Sequence, residues 1–174
     1  MKSTGILRKI DELGRIVIPK EIRDNLRIKV GEPLDIFVNG NEIVLKKYSP
    51  ISKIADIANI LVNSLKELTK VNAIITDRGK VVAISKDYND KYLGKAINDK
   101  LTDIINKREF MMIKGKDYLQ IVKGKNETGN HLIMPITYNG DCLGLVILIS
   151  EKEITNDDEN NANFVAKCIS GYFE

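Results

Sequence analysis

The run Ile16-Val17-Ile18 constrains this chain more than any other feature of its sequence. Three β-branched residues in succession indicate a strand, and the absence of polar alternation indicates that both faces of that strand are covered. A segment of about 50 residues surrounds this run, and a domain of that size cannot cover both faces of a strand by itself. A second copy of the chain must supply the cover. The sequence therefore predicts an obligate two-fold dimer built from interleaved hairpins.

Short predicted elements surround this strand. Residues 6–10 are predicted to form another strand, and the polar stretch Asp11–Gly14 is predicted to form a turn between the two. The second strand covers Arg15–Ile18 and ends at Pro19, which suits the first position of a helix. The stretch Lys20–Arg27 then predicts about two helical turns, which are too few to build a core of their own.

A hairpin and a break follow this helix. Residues 34–38 alternate along a strand, Asn39-Gly40 suits a type I′ turn, and Glu42–Lys47 returns as the second strand. Tyr48-Ser49-Pro50 ends the strand pattern, and helical spacing begins at Ile51. The predicted domains are therefore residues 1–50 and residues 51–174.

Residues 51–174 predict an α+β domain with one antiparallel sheet and helices packed against it. Its predicted elements are a helix from Ile51, a hairpin around Asp77-Arg78-Gly79, a helix with a buried stripe from Ile97 to Ile105, strands within residues 117–124, 131–138 and 141–150, and a helix from Thr155. The segment LGLVILIS is predicted to be a central strand. Thr155 and Asp158 predict an acidic form of the capping box at the start of the last helix.

The first helix of this domain is apolar on more than one side. Its main stripe comprises Ile54, Ala58, Leu61, Leu65 and Leu68. Ile57, Ile60 and Val62 lie off that stripe, so they are covered either by the domain's own sheet or by another copy of the chain.

Composition and motifs exclude several classes of function. With 43% hydrophobic and 29% charged residues, the chain has the composition of an ordinary globular protein. Its apolar runs are too short for a membrane helix and its start lacks a signal-peptide core, which predicts a cytoplasmic protein. Cys142 and Cys168 are far apart and His131 is the single histidine, so no metal site, cofactor site or catalytic constellation is predicted. We therefore expect a protein that is not an enzyme.

The net charge of the chain is concentrated at its N-terminus. The formal net charge is +3, and residues 1–50 hold all of this excess, with 10 basic and 7 acidic residues. Residues 51–174 hold 17 of each and are neutral. A dimer doubles the basic excess on one compact surface, which favours a nucleic-acid partner.

The basic residues of the N-terminal domain are the candidate DNA-contacting residues. They are Lys2, Arg8, Lys9, Arg15, Lys20, Arg23 and Arg27. The single short helix excludes a helix-turn-helix, which requires a second helix. The rigid fork of an arginine binds phosphate oxygens or the O6 and N7 edge of guanine, so arginines on a two-fold scaffold supply both register and sequence discrimination. The alternative is an ordinary solvated basic surface.

The N-terminal segment resembles the swapped-hairpin DNA-binding domain of the AbrB family of transition-state regulators. The resemblance extends from Ser3 to Ile51, and LGRIVIPKEIR is its most specific part. The passage through KYSPI into a helix-flanked sheet resembles sporulation regulators of this family, whose second domain is of the GAF type. The resemblance implies a dimeric DNA-binding head and a GAF-like domain that oligomerises or senses a ligand, in a spore-forming bacterium.

The same resemblance implies site residues and an assembly. The DNA-contacting arginines of the family fall on Arg8, Arg15 and Arg23, and Asp24 occupies a position that is commonly a second arginine. This difference weakens one anticipated phosphate contact. The protein is expected to act on promoter DNA in the nucleoid of the forespore, as activator or repressor. The first and last helices of the GAF-like domain are expected to pack together and to offer a surface for a tetramer.

Two other functions remain open at this point. The first is an antitoxin-like module that binds a protein partner, since antitoxins share swapped-hairpin heads. Their partner-binding tails tend to be extended, whereas residues 51–174 have strong periodicity. The second is a ligand-gated sensor in the GAF-like domain. The sequence shows no convergent cluster of polar residues that would bind a ligand, which argues against this function. A dimerisation module with a filled pocket is the simpler interpretation. A small-molecule effector stays open as an alternative that the sequence does not support.

Overall fold

A computed structural model describes residues 5–26, 28, 30–86, 88, 92–115 and 118–174 of the chain. The chain divides after Tyr48 into two compact units. We call the described residues up to Tyr48 the head, and Ser49–Glu174 the C-terminal unit. Among the described residues, no helix combines the length and the apolar character needed to cross a membrane.

The head contains one helix and one hairpin, namely α1 (Lys20–Asn25), β1 (Leu34–Asn39) and β2 (Glu42–Lys47). The predicted hairpin is confirmed, with Leu34 opposite Lys47 and Asn39 opposite Glu42. The loop is therefore Gly40-Asn41, one residue later than predicted. Only Gly40 of this pair has a positive φ, of 57°. The type I′ prediction is wrong, because that turn needs positive φ at both central residues.

The predicted strands at residues 6–10 and 15–18 are not strands within the single chain. Both segments have irregular backbone on either side of the turn at Asp11–Gly14. The physical reason is that a strand needs a ladder of backbone partners, and neither segment belongs to a ladder among the described residues. The predicted helix is confirmed as far as Asn25, and Pro19 lies at its N-cap rather than at its first position.

The C-terminal unit combines four helices with seven strands among its described residues. The helices are α2 (Pro50–Lys53), α3 (Ala55–Thr69), α4 (Asp99–Lys107) and α5 (Asn156–Gly171). The strands are β3 (Asn72–Asp77), β4 (Val81–Ile84), β5 (Met111–Ile113), β6 (Tyr118–Gln120), β7 (Asn126–Thr128), β8 (Asn130–Tyr138) and β9 (Asp141–Ser150). The α+β prediction is confirmed.

Five of these strands form an antiparallel sheet in the order β4-β3-β9-β8-β5, so β9 is the central strand, as LGLVILIS predicts. The strands β6 and β7 form a separate small pair. One face of the sheet packs against α3 and α5 through a core that includes Val62, Val146 and Ile169. The other face packs against α4 and the segments around it, through a core that includes Leu101 and Ile147. Apolar side chains on both faces explain why β9 lacks polar alternation.

The helix predicted from Ile51 is divided in two, because Ile54 has φ −112° and ψ 33° and separates α2 from α3. The predicted stripe is partly wrong. Val62 is fully buried, whereas Leu68 is 69% exposed. Ile57 packs on the same core and is half-buried, but Ile60 is 66% exposed. The unit's own sheet therefore covers Val62 and leaves Ile60 open.

The helix α5 begins with the capping box that the sequence predicts. The side chain of Thr155 accepts a hydrogen bond from the N–H of Asp158 at 3.2 Å, and the carboxylate of Asp158 accepts one from the N–H of Thr155 at 2.8 Å. The capping box is therefore confirmed. The helices α3 and α5 pack against each other, as expected. In α5, Val165 and Ile169 are buried, whereas Tyr172 at its C-cap is 58% exposed.

Candidate nucleic-acid interface

The centre of the candidate interface is the turn between the two irregular segments of the head. The N–H of Asp11 donates to the carbonyl oxygen of Arg15 at 3.1 Å, and the N–H of Gly14 donates to the carbonyl oxygen of Asp11 at 2.9 Å. Gly14 has φ 75°, a left-handed conformation that costs glycine little and other residues more. This closed turn fixes the backbone from which Arg15 projects.

The side chain of Asp11 makes most of the polar contacts in this turn. Its Oδ1 accepts hydrogen bonds from the N–H of Leu13 at 3.0 Å and the N–H of Arg15 at 2.8 Å. Its Oδ2 accepts one from Nε of Arg15 at 2.7 Å. The backbone N–H and then the guanidinium of Arg15 lower the pKa of Asp11, because both stabilise the carboxylate. Asp11 is therefore ionised at neutral pH.

The structure places the other predicted contact residues around this turn and on α1. Arg8 and Lys9 precede the turn and are exposed, and Nη1 of Arg8 donates to the carbonyl oxygen of Leu7 at 2.9 Å. Lys20 is exposed at the first residue of α1, and Arg23 is half-buried in its last turn. Lys2 and Arg27 lie outside the described residues.

The acidic residues of the head are interspersed with these cations. Glu12 and Asp24 are exposed, and Asp24 directly follows Arg23 on α1. The predicted weakening of a phosphate contact at position 24 stays a prediction.

Apolar side chains of the head are exposed together with the basic ones. Among the described residues up to Tyr48, none is buried. The exposed large apolar side chains on and around the turn include Leu7 (91%), Leu13 (75%), Val17 (72%), Ile10 (65%) and Ile16 (54%). An apolar surface of this extent on such a small unit is typical of a protein interface. The single head is therefore an incomplete fold.

The C-terminal unit has polar groups that sequence reasoning missed. Glu127 accepts hydrogen bonds from the hydroxyls of Tyr88, at 2.7 Å, and Tyr92. Burial and then the hydrogen bond to Glu127 raise the pKa of Tyr88. His131 is fully buried, and neither ring nitrogen has a hydrogen-bond partner among the described residues. Within the same described residues, no group of acidic, histidine or cysteine side chains is arranged to hold a metal ion.

Of the features that sequence reasoning missed, one had a usable sequence signal. An Asp that precedes a Gly-Arg pair by three residues is typical of a turn closed by its own carboxylate, and this pattern identifies Asp11. The spacing of Tyr88, Tyr92 and Glu127 carried no signal, because the hydroxyls and the carboxylate meet only through the tertiary fold.

Comparison with known proteins identifies the chain. The model of the family described as "Stage V sporulation protein T C-terminal, transcription factor" matches residues 53–172. A second model, described as "Antidote-toxin recognition MazE, bacterial antitoxin", matches residues 7–53. Stage V sporulation protein T of Bacillus subtilis (strain 168) is 40% identical over 164 residues, which are 93% of this chain and 92% of that protein.

The two units also have separate relatives. Transition state regulatory protein AbrB of Bacillus subtilis (strain 168) is 58% identical over 50 residues, which are 29% of this chain and 52% of that protein. The crystal structure of the second GAF domain of DevS from Mycobacterium smegmatis covers 68% of this chain and 92% of its own, with a TM-score of 0.56 at 12% identity. At that identity the likeness shows the fold alone, which is the predicted GAF fold.

A head similar to that of a transition state regulator, joined to a GAF-type unit, defines a transcriptional regulator that binds DNA. The chain belongs to the stage V sporulation protein T family of transcription factors. The predicted function, a DNA-binding regulator of sporulation, is thereby confirmed.

Proposed function

We propose that two copies of the chain pair through their heads, and that the paired heads bind double-stranded promoter DNA. The observation that supports this most is that the described head has no buried residue, while its apolar and basic side chains are exposed together. Pairing covers the apolar side chains and leaves the basic ones on a two-fold surface. Such a surface suits an operator whose half-sites are related by a two-fold axis.

The basic residues have different roles on this surface. Arg8, Arg15 and Arg23 make the main contacts, since each guanidinium can bind two acceptors at once. Lys9 and Lys20 contact phosphates as point charges. Lys2 and Arg27 belong to the same set by sequence. Asp24 stands where a further phosphate contact is expected and weakens binding on that side.

The C-terminal units join two such dimers into a tetramer. Ile60 and Leu68 on α3 and Phe164 on α5 are each about two-thirds exposed, and these two helices pack together. The space on the α4 side of the sheet is filled by buried side chains such as Tyr92, Leu101 and Ile133, which favours self-association over a ligand pocket as the role of this unit. A tetramer gains avidity for paired operator sites.

The protein acts in the cytoplasm, on the nucleoid of the forespore, and changes transcription without catalysing a reaction. Its effect on a given promoter, as activator or repressor, depends on where the operator lies relative to that promoter. No metal or cofactor takes part.

A second candidate function rests on the match of residues 7–53 to an antitoxin model. In that case the head binds a small protein. The packed GAF-type unit in place of an extended tail favours the DNA-binding function. Isolation of the chain from its host distinguishes the two, because an antitoxin copurifies with a stoichiometric small protein.

The first test measures DNA affinity of the full chain against salt concentration. A dimer that neutralises about six to eight phosphates gives a slope of log affinity against log salt of roughly −5 to −7. Footprinting across the host genome then locates the operators. A slope near zero contradicts the proposal.

The second test replaces Arg8, Arg15 or Arg23 by Ala, one at a time. We expect specific binding to fall strongly in each variant. Thermal unfolding should be unchanged for Arg8→Ala and Arg15→Ala, because exposed arginines contribute little to stability, and should change more for the half-buried Arg23. Loss of the fold in these variants would assign the arginines a structural role instead.

The third test compares sedimentation of the full chain with that of a fragment ending at Lys47. The tetramer should fall to a dimer on truncation. In the full chain, Phe164→Glu should give the same dimer, since a charge on an apolar interface disfavours association. If the full chain, the fragment and the Phe164→Glu variant all sediment with the same number of subunits, the tetramer is contradicted.

A further inference from the structure

The geometry of the turn points to Asp11 as a positioning residue for DNA recognition: we propose that it orients Arg15 to bind a base edge rather than a phosphate. This inference rests on the proposed function, since it assumes that the paired heads bind DNA. It assigns Asp11 a role in specificity and gives Arg15 a target different from that of Arg8.

The first argument is the direction of the ion pair. Oδ2 of Asp11 engages Nε of Arg15 at 2.7 Å, while the side chain of Arg15 remains 72% exposed. Among the described residues the structure gives Nη1 and Nη2 of Arg15 no partner. The outer edge of the guanidinium, formed by these two nitrogens, is the edge that pairs with O6 and N7 of guanine.

The second argument is the rigidity of the support. The other carboxylate oxygen of Asp11 accepts from two backbone N–H groups, those of Leu13 and Arg15. The turn is closed further by two backbone hydrogen bonds, between Asp11 and Arg15 and between Gly14 and Asp11. Oδ1 of Asp11 is therefore anchored to the backbone, so Oδ2 presents a fixed acceptor to the guanidinium of Arg15. Holding a long side chain in its bound geometry reduces the entropy lost on binding.

The third argument is electrostatic. A carboxylate beside a guanidinium partly offsets its charge and repels a phosphate group. The outer edge of the same guanidinium still donates two hydrogen bonds, which a neutral base edge accepts. Arg8 donates to the carbonyl oxygen of Leu7 and has no carboxylate partner among the described residues, so its charge is not offset and it suits a phosphate. Arg15 thus contributes mainly to specificity, and Arg8 contributes mainly to affinity.

The test uses the full chain with two changes of equal charge. Asp11→Asn keeps an amide oxygen for the N–H groups of the turn but loses the anionic acceptor for Nε of Arg15. Glu12→Gln removes the same charge at the next residue, which is exposed and which the structure does not pair with Arg15. The probes are a duplex selected from a random library by the wild-type chain and a scrambled duplex of the same length and composition.

If Asp11 positions Arg15, the two variants should have opposite effects on affinity for the selected duplex. Glu12→Gln should raise affinity for both duplexes slightly and equally, because it removes a repulsive charge. Asp11→Asn should raise affinity for the scrambled duplex in the same way but lower affinity for the selected duplex. The ratio of the two affinities should fall about fivefold or more, as expected for loss of one well-placed arginine contact to a base.

A double-mutant comparison separates positioning from a structural role. In an Arg15→Lys background, which lacks the guanidinium, Asp11→Asn should change the affinity ratio no further. Additive effects of the two changes would overturn the inference, and so would an Asp11→Asn variant that behaves like Glu12→Gln. If the wild-type chain does not distinguish the two duplexes, the proposed function fails together with this inference. If the thermal unfolding of Asp11→Asn is unchanged, misfolding is excluded as the cause of its lower affinity ratio. Asp11→Glu keeps the anionic acceptor, so it should restore part of the affinity ratio.

Discussion

The two units of this chain bury their apolar residues in different ways. No described residue of the head is buried, and Val17 at its centre is 72% exposed. The C-terminal unit has a packed core on each face of its sheet, and its central strand has eight buried residues in succession. One unit thus carries a complete fold within a single chain, whereas the other needs a second copy to complete its core.

The difference follows from size and sequence pattern. A segment of about 50 residues exposes too much surface for its volume to sustain a core alone. Residues 49–174 are long enough for a sheet with helices on both faces. The dependence of the head on a partner has a functional consequence, because the same pairing that covers its apolar residues also doubles its basic surface.

The largest effect is expected for the head. Residues 1–50 alone should have no stable folded monomer, so the thermal midpoint of that fragment should rise with protein concentration. The substitution Val17→Asn should abolish folding of the fragment at micromolar concentration, because it places an amide in the dimer core at a cost of about 2–5 kcal/mol. Circular dichroism at several concentrations measures both.

A matched control comes from the other unit. Leu93 is 54% exposed in the C-terminal unit, so Leu93→Asn in the full chain should change stability by less than about 0.5 kcal/mol. If Val17→Asn is equally mild, or if the fragment melts as a demonstrated monomer, the two units do not differ in the way described here.

The second largest effect is expected at Gly144 in β9. A Cβ atom at this position would overlap the carbonyl oxygen of Thr76 in the paired strand β3 and would meet Cδ1 of Ile51. Since neither the strand nor the buried side chain can move freely, Gly144→Ala should destabilise the C-terminal unit by about 1–3 kcal/mol. Denaturant unfolding of the full chain should show this loss in the transition of that unit and not in the head.

Gly171 supplies the control for this substitution. It lies at the end of α5, and a Cβ atom there meets nothing within 4 Å. Gly171→Ala should therefore be neutral or should stabilise the unit slightly, because alanine loses less entropy than glycine in a helix. Equal destabilisation by the two changes would contradict the close approach at Gly144.

Much of the fold could be predicted because local patterns and the final structure agree. The hairpin at residues 34–47, the pair β8 and β9, and the capping box at Thr155 have signals within a few residues. The strands β5 and β7 have three residues each, which is too short for a periodic pattern. The segments at residues 6–10 and 15–18 have strand-like sequences, but neither joins a strand ladder among the described residues of the single chain.

The candidate site was predicted less completely than the fold. Arg8, Arg15 and Arg23 were predicted by residue type, position and family resemblance. The contact between Asp11 and Arg15 depends on the geometry of the turn, in which a carboxylate meets a side chain four residues on. The stripe of α3 was misassigned because periodicity shows which residues share a face, but it does not show whether Val62 or Leu68 faces the sheet.

A third prediction concerns pH and the single histidine. Burial lowers the pKa of His131 below its usual value near 6.5, with a smaller opposing effect of Glu127 and a smaller lowering effect of Lys100. Below pH 6.5 the unfolded chain therefore binds a proton that the folded chain does not, so the free energy of unfolding falls as pH falls. The slope can reach about 1.4 kcal/mol per pH unit, and this contribution is absent above pH 6.5.

The substitution His131→Leu tests this pH dependence, which should occur in the C-terminal unit and not in the head. It should remove the slope between pH 5 and 6.5 from the transition of the C-terminal unit. The head has no histidine, so its transition should have no such dependence in either protein. A wild-type chain whose C-terminal unit is equally stable at pH 5 and pH 7 would contradict a neutral buried His131.

The smallest effect is expected at the start of α5. Thr155→Ala removes the hydroxyl that accepts from the N–H of Asp158 and donates to its carboxylate. Loss of such an N-cap costs about 1 kcal/mol, which lowers the midpoint of a unit of this size by roughly 3–5 °C. Thr155→Ser keeps the hydroxyl and should shift the midpoint far less. Because α5 packs on α3 within the C-terminal unit, scanning calorimetry should show the shift in that transition alone. A parallel shift of the head's transition would mean that the two units unfold as one cooperative block, and the self-sufficiency of the C-terminal unit would then have to be given up.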